Sequence, residues 1–255
     1  MNKPIRDWAG QRVWIIGASS GIGAALATAL LQRGALVAVS ARRAEALQAV
    51  AAGQGEALVL AFDLTDDDAF IRTADDLFQH WGGIDLVVFC AGAYAPMRAW
   101  QLDANDIDRL LAINLRAPMA ATARLIPQLL QQGSGALAFV SSVAGYRGLP
   151  KAAAYGPTKA ALINFAEALY LDLAPRGLSV YLINPGFVAT PMTAANDFEM
   201  PALISPQQAA EEIIAGFARG SFEIHFPRRF TYWLKLLRML PYGLYFALVR
   251  RFTRL

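Results

Sequence analysis

Short runs of consecutive apolar residues alternate along the chain with longer stretches in which apolar positions recur every three or four residues. The short runs cover residues 12–16, 36–40, 58–62, 84–89, 136–141 and 179–183. Their apolar residues fall on successive positions, not on every second one, which is the pattern of a strand covered on both faces. Between them, residues 22–32, 43–52, 66–80, 114–132 and 155–174 carry helical spacing. Gly34 and Gly53 close the first two helices, and acidic residues open the third. Strands alternating with helices in this way predict a parallel, doubly wound α/β sheet in one domain, residues 1–227.

The pattern changes after residue 227. Phe230, Trp233, Leu234 and Leu237 fall at i, i+3, i+4 and i+7, Pro241 interrupts, and Leu244, Leu248, Phe252 and Leu255 form a second stripe. An amphipathic helical extension over residues 228–255 follows from this. It is also where the charge lies. From Ser221 to Leu255 seven Lys and Arg stand against Glu223, a net +6, so the first 220 residues carry −3 of the chain's +3. A basic helix with aromatic residues suits an anionic membrane surface. The same stripe also suits packing on the body, on a lid or on a partner subunit. No nucleic-acid recognition module accompanies the charge, so nucleic acid is not expected.

With 255 residues, 56% of them hydrophobic, the chain can bury a sizeable core. One cysteine allows no intrachain disulfide and no metal-ligand spacing, so no metal and a reducing cytoplasm are expected. The first residues lack an apolar core, so no signal peptide is expected. The uncharged stretches at 125–146 and 177–196 are broken by Gln, Gly, Ser, Asn and Pro, and neither reads as a membrane span. Peripheral attachment at the inner face of a membrane stays open through the tail.

The first strand runs into Gly17-Ala-Ser19-Ser20-Gly21-Ile22-Gly23 and then a helix. Glycines there let the backbone approach a pyrophosphate, and the helix N-terminus offers unpaired N–H groups. The stretch also reads G-x-S-x-G, a hydrolase nucleophile elbow. That needs a triad histidine, and only His80 and His225 exist; the elbow is discarded. After the second strand comes Ala41-Arg42-Arg43. Without an acid to hold a ribose 2′-OH, and with Arg42 suited to a 2′-phosphate, NADP is favoured over NAD. Arg42 as a solvated helix start is the plainer alternative. Asp63 either accepts from an adenine amino group or caps the next helix.

Tyr155 and Lys159 stand four apart at the start of a helix, so phenol and ammonium share a face. A fixed positive charge pulls a tyrosine pKa down from about 10, toward use as a general acid and base. Together with Gly17-x-x-x-Gly21-Ile22-Gly23, Asn114 in Ile-Asn-Leu, Ser142 in Val-Ser-Ser-Val-Ala-Gly and Asn184-Pro185-Gly186-Phe-Val188-Ala-Thr190, the pair resembles the short-chain dehydrogenase/reductase family over residues 10–226.

That resemblance implies a Rossmann-type sheet and hydride transfer between a nicotinamide and a carbonyl or alcohol carbon. Tyr155 would be the general acid or base, Lys159 would lower its pKa and bind the ribose, Ser142 would hold the substrate oxygen, and Asn114 would continue a proton relay through water. In the family the serine stands thirteen residues before the tyrosine, which selects Ser142 over Ser141. Gly17, Ser19, Ser20, Gly21, Ile22, Gly23, Arg42, Asp63, Leu64, Ala91, Gly92, Tyr155, Lys159, Pro185, Gly186, Val188 and Thr190 would bind the cofactor. The chain departs from the family at Ile16, usually Thr, and at Phe89-Cys90-Ala91-Gly92, usually Asn-Asn-Ala-Gly. Cys90 is read as packing at the strand end.

The resemblance also implies pairing of helices 114–132 and 155–174 between subunits, which would give a homodimer or homotetramer. A longer epimerase or dehydratase relative is disfavoured by the short C-terminal region, and a catalytically silent nucleotide sensor or scaffold by the intact four-residue set. Tyr94, Met97, Trp100, Tyr146, Leu149, Phe187, Met192, Phe198 and Met200 in the loops beyond the strands, with only Arg98, Arg147, Lys151, Asp197 and Glu199 as charges, point to an apolar carbonyl or alcohol substrate. The alternative is that these side chains pack on one another. Residues 222–226 would form a last strand.

Overall fold

A computed structural model describes residues 1–52, 57–196 and 198–253. Gly53, Asp197, Arg254 and Leu255 lie outside the described residues. Seven parallel strands form one sheet: β1 (Arg12–Ile16), β2 (Leu36–Ala41), β3 (Ala57–Ala61), β4 (Leu86–Phe89), β5 (Ala136–Val140), β6 (Ser179–Pro185) and β7 (Glu223–Phe226). Their order is β3-β2-β1-β4-β5-β6-β7. The order reverses between β1 and β4, which pair from Val13–Leu86 to Ile16–Phe89. At such a reversal the crossovers diverge to opposite faces and open a crevice beyond the carboxyl ends of the strands.

The unbroken apolar runs feed both faces. In β1, Val13 and Ile15 belong to the core under α1 (Gly21–Leu31), α2 (Ala44–Ala51) and α7 (Pro206–Arg219), with Leu26, Leu30 and Phe217 opposite. Trp14 and Ile16 belong to the other core, with Phe70 of α3 (Asp67–Trp81), Leu125 of α5 (Ala117–Gln132) and Leu162 of α6 (Tyr155–Leu173). Trp14 is wholly buried and stacks on Phe70 at 5.2 Å, while its indole N–H donates to the Ser40 hydroxyl at 2.8 Å. That bond spares the core an orphan donor, whose desolvation costs about 1–3 kcal/mol.

Two helices occupy segments to which the periodicity assigned no element. α4 (Ala104–Leu111) starts where the Asp103 carboxylate accepts from the Asp106 N–H. It runs through a π-helical turn, Ala112–Arg116, into α5, so Asn114 sits inside a widened turn and not at a helix start. α7 has a Ser205–Gln208 capping box with Pro206 at its first position and ends at Gly220.

The tail folds as α8 (Arg228–Met239) and α9 (Tyr242–Thr253). The expected stripe on α8 is corrected. Phe230, Leu234 and Leu237 turn inward with buried Thr231, but Trp233 is 68% exposed. On α9, Tyr245 is the buried residue and Leu248 is half-buried, whereas Leu244 and Phe252 face outward. The spacing located the helices but not the face the body covers. Among the described residues, no helix is long and apolar enough to cross a membrane.

Candidate active site

The Gly17 turn is shaped by close approach. Gly17 has φ +98°, and a Cβ there would overlap the backbone of Ala91 at the end of β4. Gly21, with φ +58°, would bring a Cβ within 2.9 Å of the Thr190 side chain. A side chain at either position would close the space above the turn. Gly23 differs from the other predicted turn residues. It is off the cavity wall, and a Cβ there would meet the Gly17 carbonyl, so its bareness lets α1 approach the turn. Ser20 precedes α1 without a side-chain cap bond, which leaves first-turn N–H groups for an anion.

A cavity of about 500 Å³ runs from this turn along the carboxyl ends of the strands. Gly17, Ser19, Ser20, Gly21 and Ile22 line one part, with Arg42, Asp63 and Leu64 at the β2–β3 end. Ala91, Gly92, Ser142, Tyr155, Lys159, Pro185, Gly186, Val188 and Thr190 line the rest. Asp63 accepts from the Thr65 N–H and hydroxyl at 2.9 and 2.8 Å. Burial would raise its carboxyl, but those two bonds and the nearby Arg42 outweigh it and hold the group below the usual range. The cap of α3 is Asp66, whose carboxylate accepts from Ala69, so Asp63 is not spent on the helix.

Ser141 and Ser142 separate cleanly. The Ser141 hydroxyl, buried, donates to the Lys159 carbonyl at 2.8 Å and ties β5 to α6. Ser142 opens the following turn, where its hydroxyl oxygen accepts from Ala144 and its hydroxyl meets the Tyr155 phenol. Gly145 lets that turn press onto α6, since a Cβ there would lie 2.7 Å from the Lys159 carbonyl carbon.

Lys159 is buried, and its ammonium donates to the Val140 carbonyl at 3.0 Å. Nζ lies 5.7 Å from the centre of the Tyr155 ring. Burial pushes the ammonium down to about 8, with Cys90 acting the other way. Burial likewise pushes the Tyr155 phenol up to about 12, opposed by the Ser142 hydroxyl. This corrects the expectation of a depressed tyrosine. Sequence spacing fixes the neighbour but not the desolvation, and here desolvation of the phenolate is the larger effect.

Asn114 is almost fully buried and holds the neighbouring loop. Its carbonyl oxygen accepts from the Ala93 N–H at 2.7 Å, and its amide donates to the Ala93 carbonyl at 2.9 Å and the Thr158 hydroxyl at 3.2 Å. Its Oδ1 and Lys159 Nζ lie 3.5 and 3.7 Å from the same point above Gly92. The two polar atoms therefore approach the same side of Gly92.

Residues 11–200 match the family described as short chain dehydrogenase. The chain belongs to the short-chain dehydrogenase/reductase family. An uncharacterized oxidoreductase of Myxococcus xanthus is 36% identical over 241 residues, 93% of this chain and 95% of the relative. One from Staphylococcus epidermidis is 31% identical over 208 residues, 81% and 90% of the two chains. Among solved structures, a short-chain dehydrogenase of Streptomyces avermitilis superposes with TM-score 0.77 at 26% identity, covering 89% of this chain and 92% of that one. A short-chain dehydrogenase/reductase of Burkholderia phymatum, solved in complex with NAD, gives TM-score 0.83 at 21% identity over 91% and 94%. The protein is thus an oxidoreductase of this family, whose members use NAD or NADP.

The residues present fit such a dinucleotide: a bare glycine cradle, unpaired helix N–H groups and a continuous cavity. Several lining residues escaped the sequence reading. Arg43, Phe62 and Thr65 border the Arg42 end, and Arg109, Ile113 and Thr193 the other. Thr193 accepts from the Thr190 N–H and donates to the Val188 carbonyl, fastening the segment after β6. Arg109 and Ile113 lie on α4 and the π turn, for which the Asp103 cap was the available signal. The predicted substrate residues divide. Tyr94 meets the Tyr155 ring edge-on at 4.9 Å and Met192 lines the cavity, but Trp100 is 80% exposed and Tyr146 donates to Glu223. Among the described residues no cluster of His, Cys, Asp or Glu offers a metal site. Cys90 is a free thiol pushed up to about 11 by burial, which leaves it a poor nucleophile.

Proposed function

We propose that this protein transfers hydride between NADP(H) and a carbonyl or alcohol carbon of an apolar substrate, with Asn114, Ser142, Tyr155 and Lys159 as the reacting set. The observation that carries this reading is the single cavity joining Arg42 and Asp63 to Ser142, Tyr155 and Lys159. When bound, the cofactor supplies or accepts the hydride. The chain's residues manage the oxygen and the proton. In reduction, the Ser142 hydroxyl donates to the substrate oxygen as charge builds there. Tyr155, neutral at physiological pH with its raised pKa, then gives its proton to that oxygen. In oxidation the same groups act in reverse. Lys159 favours the tyrosinate as it forms, and a water held by Asn114 next to Lys159 would pass the replacement proton to it.

The NADP preference rests on Arg42 and Arg43, which directly follow the β2 end in place of a carboxylate. The apolar substrate class rests on Tyr94, Ile113 and Met192 around Tyr155. Met119 and Leu171, exposed on α5 and α6, support pairing of subunits through these helices. Titration with NADPH and NADH, followed by turnover of aliphatic, steroid-like and sugar carbonyls, tests the reading. Tighter NADPH and turnover of the apolar carbonyls support it. Tighter NADH, or turnover of sugars alone, contradicts it.

A further inference from the structure

The tail has one face fully committed to the body. Lys235 pairs with Glu223 at 2.6 Å, and Phe230 packs on Gly186 and against Phe187 at 5.9 Å. The Arg147 guanidinium donates to the carbonyls of Leu237 and Leu240 at 3.1 and 2.6 Å and lies 4.0 Å from the Tyr245 ring centre. Tyr245 in turn donates to the Gly148 carbonyl at 2.6 Å.

The other face of α8 carries Arg229, Tyr232, Trp233, Leu236 and Met239, at i, i+3, i+4, i+7 and i+10. All are exposed, Met239 to 81%. Tyr242 and Phe246 extend the apolar surface onto α9. Arg228, Arg238, Arg250 and Arg251 are also exposed, and none of these arginines forms an ion pair among the described residues. From residue 224 to the last residue the sequence contains no Asp or Glu.

We infer that the outer face of α8 and α9 docks on an anionic phospholipid surface. Exposed apolar patches of this kind mark interaction sites. Tyr and Trp favour the membrane–water boundary, and arginines bind lipid phosphate. The helices are too short and too basic to span, so they lie in the surface. A second copy of the chain is the poorer occupant. A two-fold contact sets the same patch against itself, and this patch offers arginines with no carboxylate to meet them. The inference does not depend on the chemistry at Tyr155, because binding is read without substrate.

The test is co-sedimentation of the full chain with vesicles of phosphatidylcholine alone and with about one-third phosphatidylglycerol added. Binding to the anionic vesicles only, weakened by added salt, is expected. Arg228→Gln with Arg229→Gln should reduce partitioning about 25-fold, roughly fivefold per arginine. Trp233→Ser with Met239→Ser should also release the protein while leaving thermal unfolding and NADPH binding unchanged. Equal binding to neutral vesicles, or none to either, overturns the inference. So does self-association that Trp233→Ser abolishes without any vesicle binding, which would assign the face to a second copy.

Discussion

The Ser141 hydroxyl donates to the Lys159 carbonyl at 2.8 Å, across eighteen residues of sequence, and leaves the adjacent Ser142 as the serine with a hydroxyl proton to offer the cavity. Two neighbouring serines thus do different work. Ser142→Ala should lower kcat by about 10²–10³-fold with little change in unfolding temperature. Ser141→Ala should instead cost about 1 kcal/mol of stability, read by denaturant titration, with a much smaller effect on kcat. A reversal of the two outcomes would move the substrate contact to Ser141.

Arg42 lines the cavity beyond β2 and lies near the Asp63 carboxylate. A charge-assisted pair with a 2′-phosphate contributes about 1.5–3 kcal/mol. Arg42→Ala should therefore raise the NADPH dissociation constant by roughly 10–150-fold and leave that of NADH within about threefold. Isothermal titration with both nucleotides measures this. Equal losses for the two would remove Arg42 from any 2′-phosphate contact.

Gly17 cannot accept a side chain without displacing the backbone at Ala91, and its φ of +98° disfavours any L-residue. Gly17→Ala should abolish measurable NADPH binding and lower stability by about 1–3 kcal/mol. Nucleotide titration and thermal unfolding on the same sample check both parts. Unchanged binding would mean that the turn does not cradle the cofactor.

The glycine turn, the strand cores and the Tyr155–Lys159 pair were legible in the sequence because each depends on local spacing. Backbone needs at Gly17 and the shared face of positions 155 and 159 follow from chain geometry alone. α7 was also legible in principle, through Ser205-Pro206 and Gln208 followed by Ala209, Ala210, Ile213, Ile214 and Phe217, though no element was assigned there. α4 was harder, since its few apolar positions give way to Asp and Asn and its cap is the only sharp signal. What spacing cannot carry is burial. It placed Lys159 beside Tyr155 but gave no measure of the desolvation that raises the phenol. It also placed Trp233 on the α8 stripe without telling which side of that stripe the body covers.

Glu223 joins the tail to the body. Burial would raise its carboxyl, but Lys235, Tyr146 and Asn184 outweigh this and hold it below the usual range. A depressed carboxyl stabilises the fold above its unfolded pKa of about 4.3, and the contribution disappears as pH falls through the folded value. Glu223→Gln should lose on the order of 2 kcal/mol at neutral pH. The gap from wild type should close below about pH 4. Thermal unfolding from pH 3 to 8 reads the difference, and a gap independent of pH would contradict the assignment.

The central claim is tested most directly with NADPH deuterated at the transferring C4 position and an apolar carbonyl, comparing wild type with Tyr155→Phe. Wild type should place the deuterium on the carbinol carbon of the product, seen by mass spectrometry. Tyr155→Phe should bind NADPH equally well and transfer deuterium about 10²–10⁴-fold more slowly. Transfer at the wild-type rate by Tyr155→Phe, or NADPH bound by wild type without transfer to any carbonyl offered, would contradict it.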